Sequence, residues 1–233
     1  MQSLSGKRVL ITGASRGLGK ELALTFAKEK TKLILNSRSD DLYKVAEQCR
    51  ALGAACEIIK GDITIEATMD KLAQPVDILI NNAGIIFMEE FKDTTDKQID
   101  SVFTIDTIAP IKLTRRIYPK MIAQGSGHIV NIISTAGREG MKNHVIYGAA
   151  KFGLSGFSQA LQKEAAEHGI KVTAIYPGGM NTNLFDRYDI DKEKLMDPKN
   201  TAYIIVELCK LDPNVIPSEL VLKRMSFTTS HKN

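Results

Sequence analysis

The chain has 233 residues, of which 43% are hydrophobic and 25% are charged. This balance predicts one globular domain over residues 1–233 and excludes a disordered chain. The net charge of +4 is small and no long Lys/Arg run is present, so nucleic acid is not an expected partner.

The cysteines are Cys49, Cys56 and Cys209, and no two form a Cys-x-x-Cys pair. An odd number without that spacing argues against a disulfide framework or a cysteine-based metal site, and no metal is expected. No apolar run approaches the ~20 residues of a membrane span, and residues 1–7 lack the apolar stretch of a signal peptide. We therefore expect a cytoplasmic protein with no membrane partner.

Short apolar runs alternate with helical stripes along the chain. In chain order, the predicted elements are strand Arg8–Thr12, helix Gly17–Lys30, strand Lys32–Asn36, helix Asp40–Leu52, strand Cys56–Lys60, helix Ile65–Leu72, strand Val76–Ile80, helix Thr95–Ala123, strand His128–Ile133, helix Val145–His168, strand Lys171–Tyr176, helix Asp197–Lys210 and strand Glu219–Leu222. Strands joined by single helices need right-handed crossovers and parallel pairing. The pattern predicts an α/β fold, a doubly wound, mostly parallel seven-stranded sheet with helices on both faces.

The turn after the first strand, Thr12–Gly19, contains three glycines. Glycines there let the backbone turn sharply and approach a pyrophosphate, while the next helix presents free N–H groups to the anion. The spacing Gly-x3-Gly-x-Gly differs from the usual dinucleotide fingerprint, and an ordinary tight turn is the alternative. The pattern favours a phosphate site made by Gly13, Ser15, Arg16, Gly17, Leu18 and Gly19.

The end of the second strand bears on the choice of cofactor. A protein that binds NAD usually places Asp or Glu there to hold the ribose 2′-hydroxyl. This chain has Ser37 and Arg38 instead, and Arg16 lies in the glycine turn. These groups predict binding of a 2′-phosphate, and hence of NADP(H), with solvated loop arginines as the alternative.

The predicted long helix begins at Thr95, which forms a capping-box pattern with Gln98. Pro110 lies deep inside this helix and removes one backbone hydrogen bond, which predicts a kink near Asp106. A basic set at helical spacing is expected to be a solvated face: Lys112, Arg115, Arg116 and Lys120.

Tyr147 and Lys151 lie four residues apart in one predicted helix, so they share a face. An ammonium about 4 Å from a phenol, at an effective dielectric constant of about 20, favours the phenolate by roughly 4 kcal/mol. That would bring the phenol near working pH, as a general acid or base requires. A simple surface contact is the alternative. Ser134 lies at the end of the fifth strand, where ligands of open α/β sheets bind, so its hydroxyl can reach a substrate carbonyl.

These segments together resemble the short-chain dehydrogenase/reductase family over essentially the whole chain. The matching stretches are Thr12–Gly19, Asp62-Ile63, Asn81–Gly84, Ser134, Tyr147–Lys151 and Pro177–Thr182. The resemblance implies a Rossmann-type fold and a carbonyl reductase or 3-oxoacyl reductase-like enzyme acting on a small carbonyl or alcohol. It also implies a homo-dimer or homo-tetramer.

The resemblance further implies a role for each matching residue. Tyr147 would give the proton in reduction and take it in oxidation, Lys151 would also hold the nicotinamide ribose, and Ser134 would orient the substrate oxygen. The other implied cofactor contacts are Asp62 and Ile63 at the adenine, then Asn82, Ala83, Gly84, Pro177, Gly178, Met180 and Thr182.

Asp106 departs from the family, whose members usually carry asparagine at this point of the long helix. A carboxylate loses the amide donor, and at about 7 Å from Tyr147 it would oppose the phenolate by roughly 2 kcal/mol unless it is protonated or pairs with Lys151. Asp106 is therefore a candidate catalytic residue. The alternative function is an NADP(H)-binding regulatory or scaffold protein whose chemistry this carboxylate impairs.

The C-terminal part also departs from the family. Many relatives have a Gly-Gly stretch after the last strand, where this chain has Lys223-Arg224-Met225. The substrate region Asn181–Met196 is short, which predicts an open site for small or end-on substrates. Residues Phe227–Asn233 are expected to fray. Three histidines lack metal-like spacing and are expected to be structural or exposed: His128, His144 and His168. For His144, three residues before Tyr147, a place at the edge of the site is the alternative.

Overall fold

The computed structural model describes residues 1–225. Its strands are β1 (Arg8–Thr12), β2 (Lys32–Ser37), β3 (Ala55–Lys60), β4 (Ile78–Asn81), β5 (Gly127–Ile132), β6 (Ile170–Pro177) and β7 (Glu219–Leu222). Its α-helices are α1 (Gly17–Lys28), α2 (Asp41–Ala51), α3 (Glu66–Leu72), α4 (Asp96–Phe103), α5 (Ala109–Gln124), α6 (Val145–Ala166) and α7 (Pro198–Cys209).

All seven strands join one sheet in the order β3-β2-β1-β4-β5-β6-β7, and each neighbouring pair is parallel. The predicted doubly wound, Rossmann-type sheet is confirmed. The strand order reverses between β1 and β4, and the loops that leave these two strands diverge at the carboxyl edge of the sheet. Open α/β sheets bind their ligands in the crevice at that point.

The hydrophobic core lies on both faces of the sheet. Successive residues of β1 alternate between the faces, so Val9 and Ile11 pack with α1, α2 and α7, while Leu10 packs with α3 and α5. The five inner strands are buried almost completely, whereas the edge strands β3 and β7 are partly exposed. Burial on both faces explains why the inner strands are near-continuous apolar runs in the sequence.

Several element boundaries differ from the predictions by a few residues. Helix α1 stops at Lys28, and Lys30 then takes a left-handed conformation with φ of 57°. Helix α6 stops at Ala166, three residues before Gly169, whose φ is 68°. Strand β4 begins at Ile78, two residues after Val76, whose carbonyl accepts a hydrogen bond from the Gln124 side chain of α5.

The long predicted helix is two helices joined by a π-helical turn, Thr104–Ile108. The Thr95–Gln98 capping box is present, and the disruption lies at Asp106 as predicted. Its form differs, because Pro110 falls in the first turn of α5, where its missing N–H needs no partner. π-Turns of this kind are frequent at functional sites, since they swing one side chain inward.

The basic set on α5 is not wholly a solvated face. The side chain of Arg116 is only 16% exposed and forms ion pairs with Glu66 and Asp70 of α3. Arg116 therefore ties two helices together, and for this residue the prediction was wrong.

Within residues 1–225, no helix combines the length and apolar character that crossing a membrane requires. The same part of the chain contains no group of three or more His, Cys, Asp or Glu residues arranged as metal ligands. The segment Phe227–Asn233, expected to fray, lies outside the described residues.

Candidate active site

A cleft of about 640 Å³ opens at the carboxyl ends of the strands. Every site residue named from the sequence lines it: Gly13, Ser15, Arg16, Gly17, Leu18, Gly19, Ser37, Arg38, Asp62, Ile63, Asn82, Ala83, Gly84, Asp106, Ser134, Tyr147, Lys151, Pro177, Gly178, Met180 and Thr182. Gly13 and Thr182, which are 169 positions apart in the chain, therefore line the same cleft.

The glycine turn forms one wall of this cleft. Gly17 has a φ of 53°, which side chains rarely adopt, and a Cβ at Gly19 would lie 2.2 Å from the Gly13 carbonyl oxygen. The first turn of α1 has no acidic residue and no side-chain cap. Its N–H groups are consequently available to an anion at the positive end of the helix dipole.

Polar groups cluster where β2 and β3 end. The hydroxyls of Ser15 and Ser37 are hydrogen-bonded at 2.8 Å, which links the glycine turn to β2. Arg38 lies 3.4 Å from Asp62, and its side chain is 66% exposed. Burial opposes the charge of Asp62, but hydrogen bonds from Thr64 and the charge of Arg38 hold the pKa of this carboxyl below its ordinary value. Arg38 keeps most of its donors for a second anion.

Tyr147 and Ser134 face the cleft from the other side. The phenol ring is buried, and the Lys151 Nζ lies 5.6 Å from its centroid. Burial raises the pKa of Tyr147; Lys151 and the Ser134 hydroxyl lower it, and the Asp106 carboxylate raises it further. The net direction is upward. We expected Lys151 to lower the pKa of Tyr147, and its own effect has that direction. The expectation was wrong for the combined effect of all the surroundings, which raises the pKa.

Asp106 pairs with Lys151 in the interior of the site. Its Oδ2 lies 3.2 Å from the Lys151 Nζ, and the two side chains are 0% and 5% exposed. Its Oδ1 accepts a hydrogen bond of 2.9 Å from the Ile85 N–H, and Lys151 also donates to the Ile132 carbonyl at 3.2 Å. Pairing with Lys151, one of the two possibilities raised by the sequence, is the arrangement observed.

Burial and pairing shift the pKa values of both Asp106 and Lys151. Burial raises the pKa of Asp106, although Lys151 and the Ile85 N–H favour its charged form. Burial also works against the charge of Lys151, but Asp106 and Tyr147 outweigh it, so the pKa of Lys151 is raised. Lys151 is accordingly a firmly held ammonium beside the phenol.

The sequence named fewer of the residues at the end of the cleft next to Tyr147. Its further lining residues include Ile86, Glu139, Met141, Leu184, Phe185, Lys223 and Arg224. His144 also lines the cleft, with its ring 6.2 Å from that of Tyr147. The sequence raised His144 at the edge of the site, and Leu184 and Phe185 fall in the predicted substrate region Asn181–Met196. Ile86 follows the Asn82–Gly84 motif and could have been found from it.

The segment between Met180 and Met196, whose short length predicted an open site, contributes Leu184, Phe185, Ile190 and Leu195 to the lining of this end. Its base is held by a bridge between those two residues, with Asn181 N–H donating to the Met196 carbonyl at 2.8 Å. Its middle is held by Tyr188, whose hydroxyl accepts from the Met88 N–H at 2.9 Å and donates to the Ile86 carbonyl at 3.4 Å. We call residues 181–195 the lid.

Comparison with known proteins agrees with this geometry. The family model described as short chain dehydrogenase matches residues 7–193. Ketoacyl reductase HetN of Nostoc sp. is 34% identical over 222 residues, which cover 90% of this chain and 77% of that protein.

Two solved structures illustrate the likeness. A metagenomic short-chain oxidoreductase in complex with NADP is 25% identical, with a TM-score of 0.85 over 97% of this chain and 100% of that one. L-Sorbose reductase from Gluconobacter frateurii, complexed with NADPH and L-sorbose, is also 25% identical, with a TM-score of 0.87 over 97% and 98%. The chain belongs to the short-chain dehydrogenase family and is an oxidoreductase of that family.

Proposed function

We propose that this protein is an NADP(H)-dependent oxidoreductase that interconverts a small-molecule carbonyl compound and the corresponding secondary alcohol. The observation that carries the proposal is the convergence of Ser134, Tyr147 and Lys151 on one wall of a cleft whose opposite wall is the glycine turn. We also propose that the whole chain forms one dinucleotide-binding and catalytic domain.

The residues of the cleft fit NADP(H). The uncapped start of α1 suits the pyrophosphate, and Arg16, Ser37 and Arg38 suit a 2′-phosphate where an NAD enzyme would have a carboxylate. Lys151 and the Pro177–Thr182 stretch would hold the nicotinamide end. NADP or NADPH is bound in several similar solved structures, which supports the same choice here. When bound, this cofactor supplies or accepts the hydride at the carbonyl carbon.

The protein's own groups then handle the proton. In reduction, the Tyr147 hydroxyl donates its proton to the carbonyl oxygen, and in oxidation the phenolate takes the proton back from the alcohol. The Lys151 ammonium stabilises the phenolate. The Ser134 hydroxyl donates a hydrogen bond to the substrate oxygen and orients it. Asp106 fixes the position of Lys151 through their 3.2 Å contact. The alternative of a binding protein without chemistry is not favoured by the relatives, which are oxidoreductases.

The test is NADPH oxidation with a panel of ketones, with NADH as the cofactor control. Tyr147→Phe removes the proton donor, so we expect turnover to fall by about 10²–10⁴-fold while NADPH binding, followed by its fluorescence, stays intact. Tyr43→Phe, on the exposed surface of α2, is the matched control and should behave as the unmodified protein. Equal turnover by Tyr147→Phe would refute the assignment.

A further inference from the structure

An apolar wall stands beside Tyr147 at one end of the cleft. Ile86, Met141, Leu184 and Phe185 pack with the phenol in one hydrophobic cluster and line the cleft. Ligand sites place apolar groups against such walls and use a few polar groups for orientation. A substrate whose carbonyl reaches Tyr147 would therefore rest an alkyl or acyl group on these four residues, the apolar wall.

Charged residues occupy the rim beyond that wall. The Gly178 N–H donates to the Leu222 carbonyl at 2.7 Å, which sets the residues after β7 against the loop after β6. Lys223 reaches across to Glu139, with 2.9 Å between Nζ and Oε1. This pair is exposed and its two charges cancel, so Arg224 is the remaining charge among the residues that line this end of the cleft.

Arg224 has no anionic partner in the described part of the chain. Its Nη1 donates to the Lys194 carbonyl at 3.2 Å, which anchors it at the base of the lid. No carboxylate of residues 1–225 lies within ion-pair distance of it. Guanidinium carries five N–H donors in a fork suited to carboxylate or phosphate. Arg224 lines the cleft, and only its Nη1 has a hydrogen-bond acceptor among residues 1–225.

Arg224 also follows a strand far from β2, where the 2′-phosphate of the cofactor is predicted to bind. Five strand spacings separate β2 from β7 in the sheet order. At ~4.8 Å each, they amount to roughly 24 Å. Arg38 and Arg224 thus belong to opposite ends of the cleft, the first to the 2′-phosphate and the second to whatever lies over the apolar wall.

We propose that the substrate is an amphipathic carbonyl compound, with an apolar group on the wall next to Tyr147 and a carboxylate or phosphate bound by Arg224. This inference rests on the proposed function and narrows its substrate class. The anion is bound away from the reacting carbon, so it is held equally in the ground state and in the transition state. Its loss should raise KM and leave kcat nearly unchanged.

The experiment compares three series of ketones with the same carbon skeleton and two to six methylenes between the ketone and the terminal group. The terminal group is a carboxylate, a phosphate or a neutral methyl ester, and the readout is kcat and KM with NADPH. At the best spacing we expect an anionic ketone to exceed its ester about tenfold in kcat/KM. The ratio should shrink as ionic strength rises. The carboxylate and phosphate series identify which anion the site prefers.

Variants assign the effect to Arg224. Arg224→Gln should abolish the preference for anionic ketones by raising their KM. It should leave kcat/KM for the esters within about twofold of the unmodified protein. Arg224→Lys should retain part of the preference. Arg115→Gln removes the same charge from the exposed face of α5, away from the cleft, and should change nothing. Two results would overturn this inference but leave the proposed function standing. One is a preference for anionic ketones that survives Arg224→Gln. The other is a kcat/KM for the esters equal to that for the anionic ketones at every spacing. Failure to reduce any of the ketones overturns the proposed function together with it.

Discussion

Asp106 and Tyr147 both interact with the ammonium of Lys151. The carboxylate holds the ammonium in place through a contact of 3.2 Å, but it also adds a negative charge that disfavours the phenolate. The two effects oppose each other, so this chain gains a rigid lysine and loses part of the phenol activation. An asparagine at the same position would keep the acceptor for the Ile85 N–H without the charge.

Asp106→Asn is therefore expected to move the pH profile of alcohol oxidation to lower pH. Oxidation needs the phenolate, whose formation the carboxylate opposes, and removing that charge lowers the pKa of Tyr147. The measurement is kcat/KM for oxidation of a secondary alcohol with NADP⁺ as a function of pH.

The matched control for this change is Asp77→Asn. Asp77 also pairs with a lysine, Lys7 at 2.9 Å, but at the amino end of β4, so its profile should stay that of the unmodified protein. A profile that is the same in all three proteins would show that the Asp106 charge does not reach the phenol.

At the scale of elements, the side chain of Tyr188 fastens the middle of the lid to the rest of the site. Tyr188 exchanges two hydrogen bonds with the segment after β4, the stronger being 2.9 Å from the Met88 N–H. The same segment carries Ile86 of the apolar wall. These two hydrogen bonds therefore set the distance between the lid and the segment that carries Ile86, at the predicted substrate end of the cleft.

Tyr188→Phe keeps the ring and removes the hydroxyl, leaving the Met88 N–H without its acceptor. A hydrogen bond of about 1 kcal/mol corresponds to roughly a fivefold change. We expect KM for the carbonyl substrate to rise by about that factor, and proteolytic cleavage within residues 181–195 to become faster. NADPH affinity should be unchanged, and Tyr43→Phe again serves as the control. A lid cleaved at the same rate in both variants would mean that Tyr188 does not fasten it.

At the scale of the whole molecule, the sheet buries polar groups as well as apolar ones. His128 of β5 is enclosed between the layers, with its Nε2 hydrogen-bonded to Thr173 of β6 at 2.8 Å. Burial, with a smaller effect from Lys171, lowers the pKa of His128 to about 3. The unfolded chain binds a proton at this residue near the ordinary value of about 6.5. Between the two values the unfolded state holds more protons, so the free energy of unfolding falls as pH decreases.

His128 is expected to cost about 2 kcal/mol of stability between pH 7.5 and pH 5. Glutamine does not titrate, so the free energy of unfolding of His128→Gln should fall by about 2 kcal/mol less between pH 7.5 and pH 5. This difference does not depend on how stable the variant is at pH 7.5. Urea unfolding at both pH values measures the difference. His168→Gln, an exposed histidine after α6, should follow the unmodified protein. If His128→Gln shows the same loss as the unmodified protein, another group is responsible for the acid sensitivity.

Much of the fold was predictable because its signals are local. The apolar runs of β1 to β7, the glycine turn and the Thr95–Gln98 capping box each depend on residues within one short segment. Boundaries were less accurate, as where α1 ends two residues before Lys30, whose left-handed conformation no residue pattern had marked. The interruption at Asp106 was predicted in place but not in form, since a proline in the sequence does not distinguish a kink from a π-turn.

The sequence by itself determined the doubly wound sheet and the residues that meet at its carboxyl edge, because strand periodicity and parallel crossovers leave few other arrangements. It also left two possibilities for Asp106, protonation or pairing with Lys151. Only the tertiary structure decided that this pair forms, that the net pKa of Tyr147 rises, and that Lys223 meets Glu139 across 84 residues of chain. Such contacts join loops whose relative positions are fixed by packing of the whole sheet, and burial, which no short segment encodes, then sets their electrostatics.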